Sequence, residues 1–351
     1  MRRIALVTLL AALSILSVAP VGIAATHFTI TSGGLTVAHT PIYVAMDKGI
    51  FQRHGLDVNV LRVASGFEGL AALQKGSAHV ADAVVAVAAQ AAQQGVEATA
   101  VVVANGDPLG TGCTDKFFAV VSRKGKGIRE GHPEDLRGKT IGVAVGTVGH
   151  HYLFNLLKSK GLDPKKDVHL QHVNPADLPS ALQGGSIDAM ASWEPSPLLA
   201  LSMIPDAILV CRGGENIDFQ YLFERWMSPK FVAKEPETVK KFVAAFCEAA
   251  QYARKHPEET VELLTKYFPG MSKQIIRESL SYLNFDPRVS KVTLEAAKQG
   301  LEFAKSVGAL EGSYDFVTHL DVRFINEVMK EHPEYFDDLP SIPKDLLLDS
   351  R

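Results

Sequence analysis

The sequence predicts an α/β protein of two lobes, each a doubly wound, mainly parallel sheet flanked by helices. Three observations carry this expectation. About 325 residues follow an apolar N-terminal segment, more than one compact core usually holds. Strand-like and helix-like patterns alternate along the first two thirds of the chain. A stretch of that pattern is also written twice.

The chain opens with Met1-Arg2-Arg3, followed by an uncharged, Leu- and Ala-rich run from Ile4 to Ala19. A basic start, an apolar core and the small residues Gly22, Ala24 and Ala25 form an export pattern, so residues 1–25 are expected to be a signal peptide. The competing reading is an uncleaved membrane anchor, against which Pro20 and Gly22 interrupt the run. No cysteine follows to accept a lipid. A monomeric product, periplasmic or secreted after cleavage, is the expectation.

The formal net charge of −3 comes without a basic cluster, which argues against a nucleic-acid partner. Cys113, Cys211 and Cys247 are too few and too widely spaced for a disulfide framework or a zinc site. One bridge or three small buried residues are both compatible with them. No cofactor is expected. Motifs for a nucleophile elbow, a phosphate loop or a zinc helix are lacking, and Cys247 falls within an apolar helical pattern, so no catalytic residue is assigned.

In the first copy of the repeat, a helix ends at Gly55-Leu-Asp57, a strand runs to Val63, and a second helix closes with Ala72-Leu-Gln-Lys-Gly-Ser77 before the strand that ends at Asp82. In the second copy the same order reads Gly161-Leu-Asp163, a strand at Val168 to Val173, Ala181-Leu-Gln-Gly-Gly-Ser186 and a strand at Ile187 to Ala191. Lys116–Ser122 and Phe219–Met227 are the expected crossings between lobes. Beyond Pro229 the spacing is helical, with helices expected over Glu237–Lys255, Pro257–Tyr267, Ser272–Leu283 and Val292–Val307. Helices without further strands must pack on an existing lobe. Lobe one is therefore expected at 26–121 and 227–351, and lobe two at 122–226.

Taken in order, Pro41 to Phe51, Gly55 to Val58, Ala72 to Gly76, Leu136 to Gly142 and Ser192-Trp-Glu-Pro195 resemble the nitrate/sulfonate/taurine and thiamine-pyrimidine (NMT1/THI5-like) family of periplasmic binding proteins. The resemblance covers nearly all of the chain after the N-terminal segment. It implies a type II periplasmic-binding-protein clamshell that captures a small-molecule ligand and delivers it to an ABC permease in the inner membrane. It also implies a rival of another class, because a branch of similar fold synthesises the thiamine pyrimidine; that branch carries a cysteine-rich motif which this chain lacks.

Ligands of open α/β sheets sit beyond the carboxyl ends of the strands, near helix N-termini. That rule nominates Thr36, His39 and Thr40 ahead of the Pro41 helix, then Ser65, Gly66 and Phe67, then Asp82 and Ala83 in lobe one. In lobe two it nominates Gly146, Thr147, Val148, Gly149 and His150, then Trp193 and Glu194. Thr40 before Pro41 also reads as a helix cap, Trp193 as a core residue and Glu194 as a cap or ion-pair partner. His150 and His151 diverge on a helix, against a shared metal. Phe67, Tyr221 and Trp226 are weaker aromatic candidates for a wall. With Asp82 and Glu194 as the nominated charges and no Lys or Arg among these positions, the expected ligand bears an amine or several N–H groups. A taurine-like aminoalkanesulfonate or an alkanesulfonate comes first, with an aminopyrimidine precursor of thiamine as the alternative.

Overall fold

A computed structural model describes residues 26–34, 36–63, 65–214 and 219–348. The expected signal peptide at 1–25 lies outside them. In lobe one the chain runs β1 (Thr26–Gly33), α1 (Thr40–Asp47), α2 (Ile50–Arg53), β2 (Leu56–Val63), α3 (Gly66–Gln74), β3 (Ala81–Ala83), α4 (Val85–Gln93) and β4 (Thr99–Asn105). It crosses into β5 (Phe118–Arg123), β6 (Thr140–Val143), α5 (Val148–Ser159), β7 (His169–His172), α6 (Leu178–Gly184), β8 (Ala189–Trp193), α7 (Ser196–Met203) and β9 (Ala207–Arg212). It then returns through β10 (Phe223–Met227) to α8 (Pro229–Lys234), α9 (Pro236–Lys255), α10 (Pro257–Leu264), α11 (Lys273–Leu280), α12 (Lys291–Ser306) and α13 (Arg323–Glu331).

The lobe-two sheet has the order β7-β6-β8-β5-β9, and lobe one repeats it as β2-β1 joined through an Ile30–Val80 bridge to β3-β10-β4. Within each lobe the pairings β1–β2, β6–β7 and β6–β8 are parallel, while the strand that has just crossed over is antiparallel to both neighbours. Each lobe thus receives one strand from the crossing chain. β5 belongs to lobe two and β10 to lobe one, so the sheets change over at 106–117 and 213–222, before the expected boundaries at 121/122 and 226/227.

The repeated sequence performs repeated chemistry. Ser77 Oγ donates to the Ala72 carbonyl at 3.2 Å, and Ser186 Oγ donates to the Ala181 carbonyl at 3.1 Å, each closing the turn between a helix and the next central strand. Of the C-terminal helices, α9 packs on α1, α12 on α4, and α13 on α9 and β4. Cys247 is buried within α9, and Cys113, Cys211 and Cys247 are all free thiols, which removes the one bridge left open by the sequence. No helix among the described residues is long and apolar enough to cross a membrane.

Candidate functional site

The carboxyl ends of β1, β3, β6 and β8 face one another across a cleft of about 390 Å3 between the lobes. Thr36, Ser65, Gly66, Phe67, Asp82 and Ala83 line it from lobe one. Gly146, Thr147, Val148 and Trp193 line it from lobe two, so ten of the nominated residues meet there.

Each owes its place to local chemistry. Ser65 caps α3 by accepting from the Glu68 N–H at 3.3 Å, leaving its own hydroxyl proton and the first N–H groups of α3 facing the cleft. Gly66 allows that approach, since a Cβ would stand 2.8 Å from the Asp82 carbonyl oxygen. Thr36 accepts from Ala38 N–H at 3.1 Å and keeps a hydroxyl proton to donate. In lobe two, Thr147 donates its hydroxyl to the Ala144 carbonyl at 2.7 Å, so toward a ligand it can only accept. Beyond it, Val148 brings the N-terminal end of α5 to the cleft. Gly149 lies under Trp193, where a Cβ would be 3.3 Å from ring atom Cε3, so the absence of a side chain lets the indole lie flat on the first turn of α5.

Five nominated residues do not line the cleft. Thr40 is fully buried and donates to the Val37 carbonyl at 2.6 Å; it is the first residue of α1 rather than its cap. Gly149 is covered by Trp193. His150 is buried behind the wall, its Nδ1 accepting from Gly146 N–H at 3.3 Å.

His39 lies beneath the floor. Its Nδ1 is 3.0 Å from Arg225 Nη2, which can only donate, so the ring proton is on Nε2 and is given to the Gly33 carbonyl at 3.1 Å. Burial lowers its pKa to about 4, against the raising influence of Asp82.

Glu194 corrects the cleft expectation most clearly. It is fully buried, Oε1 accepting from Arg212 Nη1 at 2.6 Å and Oε2 from the Leu198 N–H at 3.1 Å. Burial pushes its carboxyl up to about 7 while Arg212 pulls it down. Its role is that of ion-pair partner and helix support. Trp226 is likewise core, donating Nε1–H to the Ala83 carbonyl at 3.0 Å.

Asp82 is in the floor, but its oxygens are engaged. Oδ1 accepts from the Thr31 hydroxyl at 2.8 Å and Oδ2 from the Gly33 N–H at 3.2 Å, with His39 Nε2 at 3.5 Å. Arg225 stands opposite Asp82 in the β3–β10 register and is itself fully buried. The charge of Asp82 favours the Arg225 cation from within the lobe.

The cleft contains further residues that were not nominated. His172 ends β7 with Asn174 and Pro175 after it, Val84, Val87 and Gln90 lie at or on α4, and Phe223 opens β10; Tyr221 of the second crossing, expected only as a weaker wall candidate, lines the cleft as well. The strand-end rule reaches the β7 group. Arg225 and Phe223 depend on where β10 inserts, which no local pattern reveals.

Residues 36–260 match the family described as NMT1/THI5 like. A relative in Bacillus subtilis (strain 168), named for binding aliphatic sulfonates, is 26% identical over 85% of this chain and 88% of its own. A 4-amino-5-hydroxymethyl-2-methylpyrimidine phosphate synthase of Schizosaccharomyces pombe is 22% identical over 82% of each chain. The fold is similar to that of the periplasmic aliphatic sulphonate binding protein SsuA of Escherichia coli, with a TM-score of 0.71 at 19% identity, covering 84% of this chain and 97% of that one.

Proposed function

The chain belongs to the NMT1/THI5-like family, and from that premise we propose that it is the solute-binding component of an ABC importer for an organic sulfonate. The observation that carries the reading is the placement of donors and charges around the cleft. Hydroxyls of Thr36 and Ser65 and the N-terminal ends of α3 and α5 meet the cleft from both lobes, while the floor carboxylate of Asp82 is already engaged by Thr31, Gly33 and His39. Neutral donors on two helix N-termini suit a sulfonate, whose charge is spread over three oxygens. Phe67, Trp193, Tyr221 and Phe223, with Val84, Val87 and Val148, offer an apolar wall for the organic body. A cleft of about 390 Å3 is far larger than nitrate needs.

The engagement of Asp82 and the burial of Glu194 withdraw the reason for preferring an amine. An alkanesulfonate therefore ranks ahead of a taurine-like one. The Bacillus relative and the SsuA-like fold support this choice. The aminopyrimidine reading keeps one support, the lack of any Lys or Arg among the residues lining the cleft. In this reading the protein is an exported monomer that passes its ligand to an inner-membrane permease and catalyses nothing.

Titration calorimetry with butanesulfonate, taurine and an aminopyrimidine tests it. Butanesulfonate is expected to bind one to one, unchanged on recovery, with taurine weaker. Trp193→Ala is expected to weaken butanesulfonate binding roughly tenfold through lost ring contact. Binding of the aminopyrimidine alone would turn the assignment to the thiamine branch, and product formation would turn it to an enzyme.

A further inference from the structure

The two lobes also meet away from the cleft, where Phe303 of α12, on lobe one, enters a socket of rings on lobe two. The His151 ring stacks on it with centroids 4.6 Å apart and planes 17° from parallel. His150 and Phe154 present edges at 5.1 and 5.5 Å. Phe219, on the second crossing, packs edge-on against His151 at 5.1 Å. Phe303, His150 and His151 are 94 to 95% buried, with exposures of 6, 5 and 5%. Three residues beyond Phe303, at the end of α12, the Ser306 carbonyl accepts from Lys165 Nζ of lobe two at 2.8 Å.

The socket is the first two turns of α5, whose N-terminal end meets the cleft. Phe303 therefore touches a helix that reaches the cleft while standing outside the residues that line it. We propose that Phe303 is a positioning residue: it seats α5 against lobe one and sets the ratio of closed to open clamshell before any ligand binds.

The physical reason is that opening must pull an aromatic ring from an aromatic socket into water. Offset and edge-on ring contacts add to the burial of the ring itself, and the Lys165 bond beside them, from an exposed lysine, contributes little. A clamshell biased toward closure this way binds any cleft ligand more tightly, because less of its binding free energy is spent on closing the lobes. The inference rests on the two-lobe fold and not on the sulfonate assignment, so its test is made without ligand.

Single-molecule energy transfer between dyes coupled at the exposed positions Lys75 of lobe one and Lys166 of lobe two reads the two populations directly. Phe303→Ala is expected to lower the closed-to-open ratio about tenfold, and Phe303→Leu by less. His151→Phe, which keeps a flat ring in the socket, should leave the ratio near that of the wild type. Thermal melts run alongside separate lobe stability from lobe closure. A merely structural Phe303 would lower the melting temperature and leave the populations unmoved. Should Phe303→Ala fail to fold, Phe303→Leu decides, expected to shift the ratio toward open. Unchanged populations in the folded variants would overturn the proposal, whatever ligand the cleft takes.

Discussion

Asp82 and Glu194 are carboxylates at the ends of central strands, and their surroundings give each an internal partner. Glu194 answers Arg212, whose guanidinium also donates to the Lys116 carbonyl and lies 4.4 Å over the Tyr282 ring. Because burial has already raised the Glu194 carboxyl to about 7 against the pull of Arg212, the stability of Glu194→Gln relative to wild type should rise as pH climbs from 5 to 7, measured by denaturant unfolding. Affinity of the folded protein for a sulfonate should change by less than about twofold, since the residue stands outside the cleft. Asp82→Asn behaves differently because Asp82 is both the floor and the counter-charge of Arg225. It should destabilise by about 3 kcal/mol and weaken every ligand alike, amine-bearing or not, as calorimetry across taurine and butanesulfonate would show. The strand-end rule reaches Asp82 in the cleft floor because it concerns backbone position. It overreached at Glu194 because the direction of that side chain depends on Arg212 and α7, which sequence spacing does not specify.

At the scale of elements, the two lobes solve the same packing problem with the same residues. Ser77 and Ser186 tie the end of a helix to the turn that feeds the central strand. Both serines are exposed, so each bond is replaced by water at modest cost. Ser77→Ala and Ser186→Ala should therefore destabilise by nearly equal amounts, about 0.5 to 1 kcal/mol, with additive effects in the double variant because the sites share no partner. Unequal costs would mean that the likeness is one of sequence only. This repeat was legible because helix ends and turns are written locally, in Gly, Ser and Asp. The segments that carry β5 and β10 were expected as crossings, but which sheet each strand joins was not legible, since their insertion is decided by long-range pairing. The expected lobe boundaries accordingly fell a few residues late, and Arg225, which stands opposite Asp82, was overlooked with them.

On the scale of the whole molecule, the two crossings are bound to each other. The Tyr221 N–H of the second donates to Asp115 Oδ1 of the first at 2.8 Å, and Gly213 N–H donates to the Phe118 carbonyl at 2.9 Å. Gly213 packs so closely that a Cβ there would stand 2.0 Å from the Asp115 carbonyl oxygen. Burial pushes the Asp115 carboxyl up to about 7, with the charge of Asp107 adding to the rise and the Tyr221 N–H opposing it. The unfolded chain ionises this group near its ordinary value of 3.8, so ionisation costs the folded state stability, and that cost grows as pH rises from 3.8 to 7. His39 and His151, lowered by burial to about 4 and 3, have the opposite sign and lose stability as pH falls below 6.5. The wild-type profile therefore mixes opposing contributions, and a variant is needed to isolate one. Asp115→Asn keeps an oxygen to accept from Tyr221 and removes the titration. Relative to wild type, it should gain about 2 kcal/mol between pH 5 and pH 7 in urea unfolding, with little further change above pH 8. A difference between variant and wild type that stays constant from pH 5 to 8 would show that Asp115 does not titrate there, and the two crossings would then be joined by geometry alone.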